Sequence, residues 1–423
     1  MDKSPICYCK ERTLIVSLFL AVLMSDAVRV AAEVPPSPAP QPQETLPQMI
    51  HCTWSAAPPL PYGRQDNDGG IIDNQLIMVG GFCGGSDVEW KPRKYIRGFF
   101  KETFALDLNN EIQGWFRLPN FPGIARQEMQ AATVNNELYI WGGFSYTAPY
   151  TFKDGYKLSY KERSGYTRWR WDKLPDLPWG ISTGGICTVG SKIYIFGGGD
   201  YDLKEFVWET SCDGKIKRFG ARLLVFDTNN VNAGWKELTQ CPGTTRMQAG
   251  MAAVDGKIYI IGGFQGSVDS WRYDPQTDKW ERLRDVPVSC GGFASGLILY
   301  KKRYMLLATG HMSKTVRNID GTTRPGYGKG SQVDRSSWKQ HPNLKGVRFS
   351  NHLWVYDTQT NLYGTATKLP YDDQVPPTYI IGDTVYMFAD ETAGFMFDGE
   401  YFGHQPEFVL KGKLRELDWQ KTD

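Results

Sequence analysis

Lys257-Ile258-Tyr259-Ile260-Ile261-Gly262-Gly263-Phe264 is an apolar run that stops in two glycines, and the chain repeats it. Leu76-Ile77-Met78-Val79-Gly80-Gly81-Phe82, Glu137-Leu138-Tyr139-Ile140-Trp141-Gly142-Gly143-Phe144 and Lys192-Ile193-Tyr194-Ile195-Phe196-Gly197-Gly198-Gly199 are further copies. Tyr304-Met305-Leu306-Leu307-Ala308-Thr309-Gly310 and Thr384-Val385-Tyr386-Met387-Phe388-Ala389-Asp390 are weaker ones, which makes six. A short run of β-formers, apolar on both faces, predicts a fully buried strand. The paired glycines allow positive φ and let a second backbone approach closely.

A second marker recurs in phase with the first. It is a tryptophan followed by Leu and then Pro: Trp54…Leu60-Pro61, Trp115…Leu118…Pro122, Trp171…Leu174…Pro178, Trp235…Leu238…Pro242 and Trp280…Leu283…Pro287, with a degenerate sixth from Tyr363 to Pro370. The steps between the aromatics are 61, 56, 64, 45 and 83 residues. A constant unit with insertions of variable length explains this. Repeats of about 45–50 residues with four strands each read as propeller blades. In the fourth unit the strands fall at 247–254, 258–261, 270–273 and 280–283. The last unit supplies Thr378–Ile381, Thr384–Phe388 and 407–410 but no fourth strand, and residues 53–60 form a fourth strand with no unit of their own. The expected fold is therefore all-β: a six-bladed propeller spanning 48–423, its ring closed by the N-terminal strand, which removes exposed edges. The tail at 414–419 competes for the same place.

Ahead of the propeller, Lys3, Lys10 and Arg12 precede the apolar run from Leu14 to Met24, and Val30-Ala31-Ala32 offers small residues for cleavage. This predicts a secretory signal over 1–32. A run of eleven residues falls short of the ~20 that span a bilayer, so the alternative, a membrane anchor, is disfavoured and no membrane association is expected after cleavage. Residues 33–47 read as a Pro-rich linker. Export places the protein in a periplasmic or extracellular setting. There, six mature cysteines (Cys52, Cys83, Cys187, Cys212, Cys241, Cys290) allow up to three bridges, or stay buried thiols.

Net charge is +2, with 48 basic and 46 acidic residues interspersed. No basic stripe or recognition motif points to nucleic acid. No Cys-x-x-Cys occurs, so no metal or other cofactor is expected.

The connections after each double glycine and before each first strand share one face of such a fold, and function lives on loops carried by a rigid scaffold. Those loops are unequal: 83–101 is rich in Arg and Lys, 145–160 in Tyr, 199–220 in acids, and 311–350 is some forty residues long. Insertions of that kind are functional or mere surface variation. An arginine recurs before the first strand, as Arg64, Arg126 and Arg246. Three guanidiniums around one channel mouth would suit a carboxylate; the competing reading is structural pairing inside the ring. Acids on the same approach are Asp66 and Glu128, each two residues after an arginine, and Glu391 lies on the same face. Each reads either as a proton-transfer group or as a ring-bonding acid.

The double glycine, the Tyr/Asp-rich third strand and the spaced tryptophan resemble the kelch motif over residues 50–412. Within the kelch class, Phe121-Pro122-Gly123…Arg126, Gly291-Gly292-Phe293-Ala294-Ser295-Gly296 and Glu391-Thr392-Ala393-Gly394 are similar to exported N-acetylneuraminate epimerases, the sialic acid mutarotases. That resemblance implies sugar-acid mutarotation; the placement of this chain's own residues offers Arg64, Asp66, Arg126 and Arg246 for ligand binding and Glu128 or Glu391 as the acid–base group. One departure is plain: the resemblance puts the catalytic glutamate directly after the fourth double glycine, where this chain has Phe264 and then no arginine in Gln265-Gly266-Ser267-Val268. The copper-oxidase branch of the kelch class is excluded by scattered histidines (His51, His311, His341, His352, His404). The two readings are an isomerase acting on a small anionic sugar, and a non-catalytic propeller binding a protein or glycan on its loop face.

Overall fold

The computed structural model describes residues 46–84, 97–163, 166–199, 220–264, 266–287, 290–291, 296–308, 311–313, 315–317, 319, 322–325 and 347–420. The expected signal (1–32), the linker up to residue 45, and the larger parts of the loops at 83–101, 199–220 and 311–350 lie outside the described residues, as does Cys212.

The described chain is β-structure throughout. Its helical turns, among the described residues, are the 3-10 turns Glu111–Gln113 and Val231–Ala233. No helix among those residues is long and apolar enough to cross a membrane. Four sheets have four strands each, in sequence order. The first is Asp68–Ile72, Gln75–Val79, Thr103–Asp107 and Trp115–Leu118. The second is Gln130–Val134, Glu137–Trp141, Gly155–Arg163 and Tyr166–Leu174. The third is Gly185–Val189, Lys192–Phe196, Leu223–Asp227 and Trp235–Glu237. The fourth is Gly250–Val254, Lys257–Ile261, Ser270–Asp274 and Lys279–Arg282. These meanders fit a β-propeller, as the spacing of the two sequence markers predicts.

The remaining strands join in one eight-stranded sheet. It divides at a short parallel contact, Gln48↔Thr365 and Ile50↔Ala366. On one side are Ile298–Tyr300, Tyr304–Ala308, Leu353–Asp357 and Leu362–Ala366. On the other are Thr378–Ile381, Thr384–Phe388, Val409–Glu416 and Gln48–Ala57. Gln48–Ala57 runs antiparallel to Val409–Glu416 from Ile50↔Glu416 to Ala57↔Val409. The strand begins earlier than residue 53 because this pairing, not the tryptophan marker, sets its register. The tail does not compete for the place: Leu414 is part of the partner strand itself.

Apolar layers lie between consecutive sheets. Trp141, Phe226 and Trp235 pack between the second and third, with ring centroids 4.9–5.2 Å apart. Tyr386, Phe388 and Val409 of the last set share a cluster with Leu76, Met78 and Leu106 of the first sheet. Each buried aromatic ring removes roughly 150–250 Å² from water, so these layers hold the sheets against one another.

The two sequence markers have separate tasks at these junctions. The outer-strand indoles reach back to the preceding sheet: Trp54 Nε1 donates to Lys368 O at 2.8 Å, and Trp115, Trp171 and Trp280 donate to Pro58 O, Pro119 O and Thr239 O at 2.9 Å. At Trp235 the pattern breaks, because Trp141 Nε1 already occupies the corresponding carbonyl of Pro175. The double glycines reach forward. Gly80 and Gly81 have φ of +66° and +100°, and a Cβ on Gly80 would lie 2.7 Å from Arg126 O. Gly81, Gly143 and Gly198 N–H donate to Arg126, Ile181 and Arg246 O of the next sheet. Both the positive φ and the close approach expected of these glycines are present.

Cys52, Cys187 and Cys241 are unbridged thiols, and burial pushes Cys52 and Cys241 up to about 12. They act as small apolar groups.

Candidate functional site

The site begins at the residues just before each first strand. Asp66, Glu128, Thr183 and Gln248 occupy equivalent positions in the first four sheets, and all have positive φ, from +48° to +57°. Their backbones form a chain across the sheets: Glu128 N–H donates to Asp66 O (3.1 Å), Thr183 N–H to Glu128 O (3.2 Å) and Gln248 N–H to Thr183 O (2.7 Å). Asp66 N–H closes onto the carboxylate of Asp390 at 2.6 Å. Left-handed backbone at non-glycine residues costs on the order of 1–3 kcal/mol each and gathers at functional sites.

This chain of bonds brings the three acids singled out from sequence into one cluster. Burial first, and then Glu391, raise Asp66 from its ordinary 3.8 to about 7, against a lowering hydrogen bond from Gln65. Burial, then Asp66, raise Glu128 from 4.5 to about 8, although Ser182 Oγ donates to it at 2.6 Å. None of the principal influences on either group is a cation. Asp373 and Asp390, buried behind them, are also pushed up by burial, Asp390 additionally by Asp66. Asp390 N–H reaches both carboxylate oxygens of Asp373 at 3.3 Å. Glu128 itself is only half-buried, so a ligand can reach it.

Amides fix the geometry. Gln65 Nε2 donates to Asp66 Oδ2 at 2.7 Å, and Gln405 Nε2 donates to Gln65 Oε1. Beside Glu391, His404 Nε2 stands 3.7 Å from the carboxylate, while its Nδ1 bonds Thr392 O at 2.8 Å. On the solvent side Tyr146 lies close enough that Glu128 and Glu391, after burial, raise its phenol.

The arginines are elsewhere. Arg64, Arg126 and Arg246 are 0%, 1% and 3% exposed. The fork of Arg126 is taken by Asp154 (2.5 and 3.1 Å), with Gly142 O at 2.9 Å and Phe152 against its face. Arg246 is held by Asp269, Gly262 O and Thr244 O. Arg64 bonds Gly80 O at 2.7 Å and lies against Tyr62 and Phe100. The expectation of three guanidiniums facing a channel mouth is thus corrected: each turns into the wall, Arg126 and Arg246 compensated there by carboxylate and carbonyl partners, Arg64 held by one carbonyl and aromatic rings while burial lowers it to about 10. Nor does Arg126 keep Glu128 ionised, since its charge is spent on Asp154.

The sequence reading missed Asp373, Asp390, Ser182 and Tyr146. One signal was present: Ala389-Asp390 replaces Gly-Gly at the end of the sixth apolar run, and Asp372-Asp373 stands in the turn where other repeats carry arginine. Glu391 then occupies in the last repeat the place that Phe82, Phe144 and Phe264 occupy in others. Phe264 is buried, its N–H bonded to Met247 O.

Comparison with known proteins agrees with this architecture. Residues 245–287 match the family model of the Kelch motif. The N-acetylneuraminate epimerase of Haemophilus influenzae is 26% identical over 253 residues, covering 56% of this chain and 60% of the relative. That of Pasteurella multocida is 31% identical over 226 residues, covering 50% and 53%. The chain thus spans only about half to three-fifths of the relatives it matches. The solved structure of YjhT superposes with a TM-score of 0.56 at 16% identity, over 86% of this chain and 100% of that one, a likeness of fold. Residues 245–287 thus carry a Kelch motif, and the chain resembles kelch-repeat proteins. Within that class its sequence resembles the N-acetylneuraminate epimerases.

Proposed function

We propose that this is an exported, six-bladed kelch propeller, closed by Gln48–Ala57, that binds an anionic sugar of the sialic acid type on its loop face and interconverts its anomers. One observation carries the reading: acids from different repeats, Asp66, Glu128 and Glu391, meet, and burial first pushes Glu128 up to about 8 and Asp66 up to about 7. Ring opening takes the proton of the anomeric hydroxyl and delivers one to the ring oxygen as the C–O bond breaks; closure on the other face reverses this. Carboxyls that gain and lose protons near neutrality suit both steps, and such groups contribute typically about 10²–10⁴-fold. Glu128 is the proposed acid–base group, with Glu391 second. Below pH 7 a protonated Asp66 also donates to, rather than repels, the ligand's carboxylate. The arginines act by holding the wall.

The test is anomer exchange of N-acetylneuraminate followed by NMR. Wild type should exceed the spontaneous rate and Glu128→Gln should lose most of the acceleration. Retained acceleration removes Glu128 from the role. No acceleration by wild type leaves the second reading, a non-catalytic propeller binding a glycan or protein; Phe264, buried where the resembling enzymes carry glutamate, favours that reading. Closure is tested by deleting 48–61, which should abolish cooperative unfolding, while deletion of 33–45 should leave it unchanged.

A further inference from the structure

The rim of the acidic cluster is aromatic, and the fold builds it deliberately. Phe82 and Phe144 each follow a double glycine, and each pairs its backbone with the residue preceding a cluster acid: Phe82 with Gln65, before Asp66, and Phe144 with Gln127, before Glu128. Phe99 returns beside Phe82 in the two-residue strand Gly98–Phe99, with ring centroids 4.7 Å apart. Tyr146 stands edge-on to all three, at 5.0 Å from Phe99, 5.6 Å from Phe144 and 5.9 Å from Phe82. Phe144 is the buried base of this group, Phe82 and Phe99 are half-buried, and Tyr146 is 53% exposed. Hydrophobic burial alone does not account for a tyrosine left half in water at the apex of three phenylalanines. The same tyrosine feels the charges of Glu128 and Glu391, so one wall of the approach is apolar and its floor is acidic.

A pyranose has that polarity: an apolar face of ring C–H groups and an edge of hydroxyls. We infer that Phe82, Phe99 and Tyr146 form a stacking wall for the C–H face of a pyranose ring whose hydroxyls reach the Glu128–Glu391 floor. This deepens the proposed function and rests on it, because it names what holds the sugar once the arginines are assigned to the wall. Tyr146 is then a binding residue, working through its ring rather than its hydroxyl.

The experiment uses the whole protein and N-acetylneuraminate, titrated by calorimetry against wild type, Tyr146→Ala, Tyr146→Phe and the control Ile112→Ala. Ile112 is 91% exposed in a 3-10 turn between the third and fourth strands of its sheet. Because Tyr146 is so exposed, its truncation should leave folding intact, checked by thermal melting. Tyr146→Ala should weaken binding about tenfold, in line with the worth of an aromatic contact; Tyr146→Phe and Ile112→Ala should bind as wild type does. Saturation of the aromatic protons should transfer to the sugar's ring protons in wild type and Tyr146→Phe and weaken in Tyr146→Ala, where only Phe82 and Phe99 remain against the ring. Unchanged affinity of Tyr146→Ala overturns the wall while leaving the proposed function standing, as does transfer confined to the acetyl methyl. If wild type binds no N-acetylneuraminate, the proposed function fails instead. A neutral methyl pyranoside then tests the wall alone: Tyr146-dependent binding upholds it and its absence overturns it.

Discussion

Arg126 and Glu128 are two residues apart, yet the fold treats their charges in opposite ways. Arg126 is sealed in with a carboxylate and two carbonyls around its guanidinium, and Arg246 with a carboxylate and three. Glu128 is raised toward neutrality by burial first and then by Asp66, with no cation among its principal influences. A buried charge survives only if it is paired or neutralised. The first region uses pairing and becomes rigid. The second uses proton uptake and becomes titratable. Within one repeated turn, then, alternate positions yield a structural bond and a titratable group, and the difference lies in what faces each side chain.

The largest effect should come from breaking a pair. Arg246→Ala leaves Asp269 buried and charged, and should destabilise by about 3–5 kcal/mol in urea unfolding. Arg126→Ala should do less, about 1.5–3 kcal/mol, because the Asp154 side chain is 23% exposed and can rehydrate. Equal and small losses would erase the contrast between the two regions.

Neutralising the cluster should have the opposite sign. Glu128 has a folded value of about 8 against an ordinary 4.5, so the folded state keeps a proton that the unfolded chain releases. Its stability penalty is absent below pH 4.5, grows as pH rises toward 8 and is constant above that. Glu128→Gln should therefore stabilise the protein at pH 8 by on the order of 2 kcal/mol and by only a small part of that at pH 5. Destabilisation at pH 8 would mean that the acid is structurally paired after all.

The smallest expected effect is electrostatic coupling at a distance. Glu391 is the second influence on Asp66, after burial. Glu391→Gln should lower the Asp66 midpoint by roughly half a pH unit to one unit, read from carboxyl chemical shifts. No movement would separate Glu391 from the cluster.

Much of the fold was legible in the chain because its determinants are local. The buried second strands announce themselves by apolar runs, and Gly80-Gly81 by a backbone that only glycine takes easily while leaving room for Arg126 O. The acids were legible as positions but not as a cluster, since no spacing says that Asp66 N–H closes onto Asp390 more than 300 residues away. The arginines misled for a related reason. Their partners Asp154 and Asp269 stand just before third strands, beyond loops of different length, and only the packed turn decides which way a guanidinium points. The strand Gln48–Ala57 shows the same limit: its marker tryptophan was visible, but its bounds were set by the partner Val409–Glu416.

The central claim is that Glu128 carries a proton at neutral pH in a cluster without a compensating cation among its principal neighbours. It is tested most directly by following the glutamate carboxyl ¹³C signals through a pH titration, with Glu128→Gln supplying the assignment. A midpoint near 8 is predicted. A midpoint near the ordinary 4.5 would contradict it.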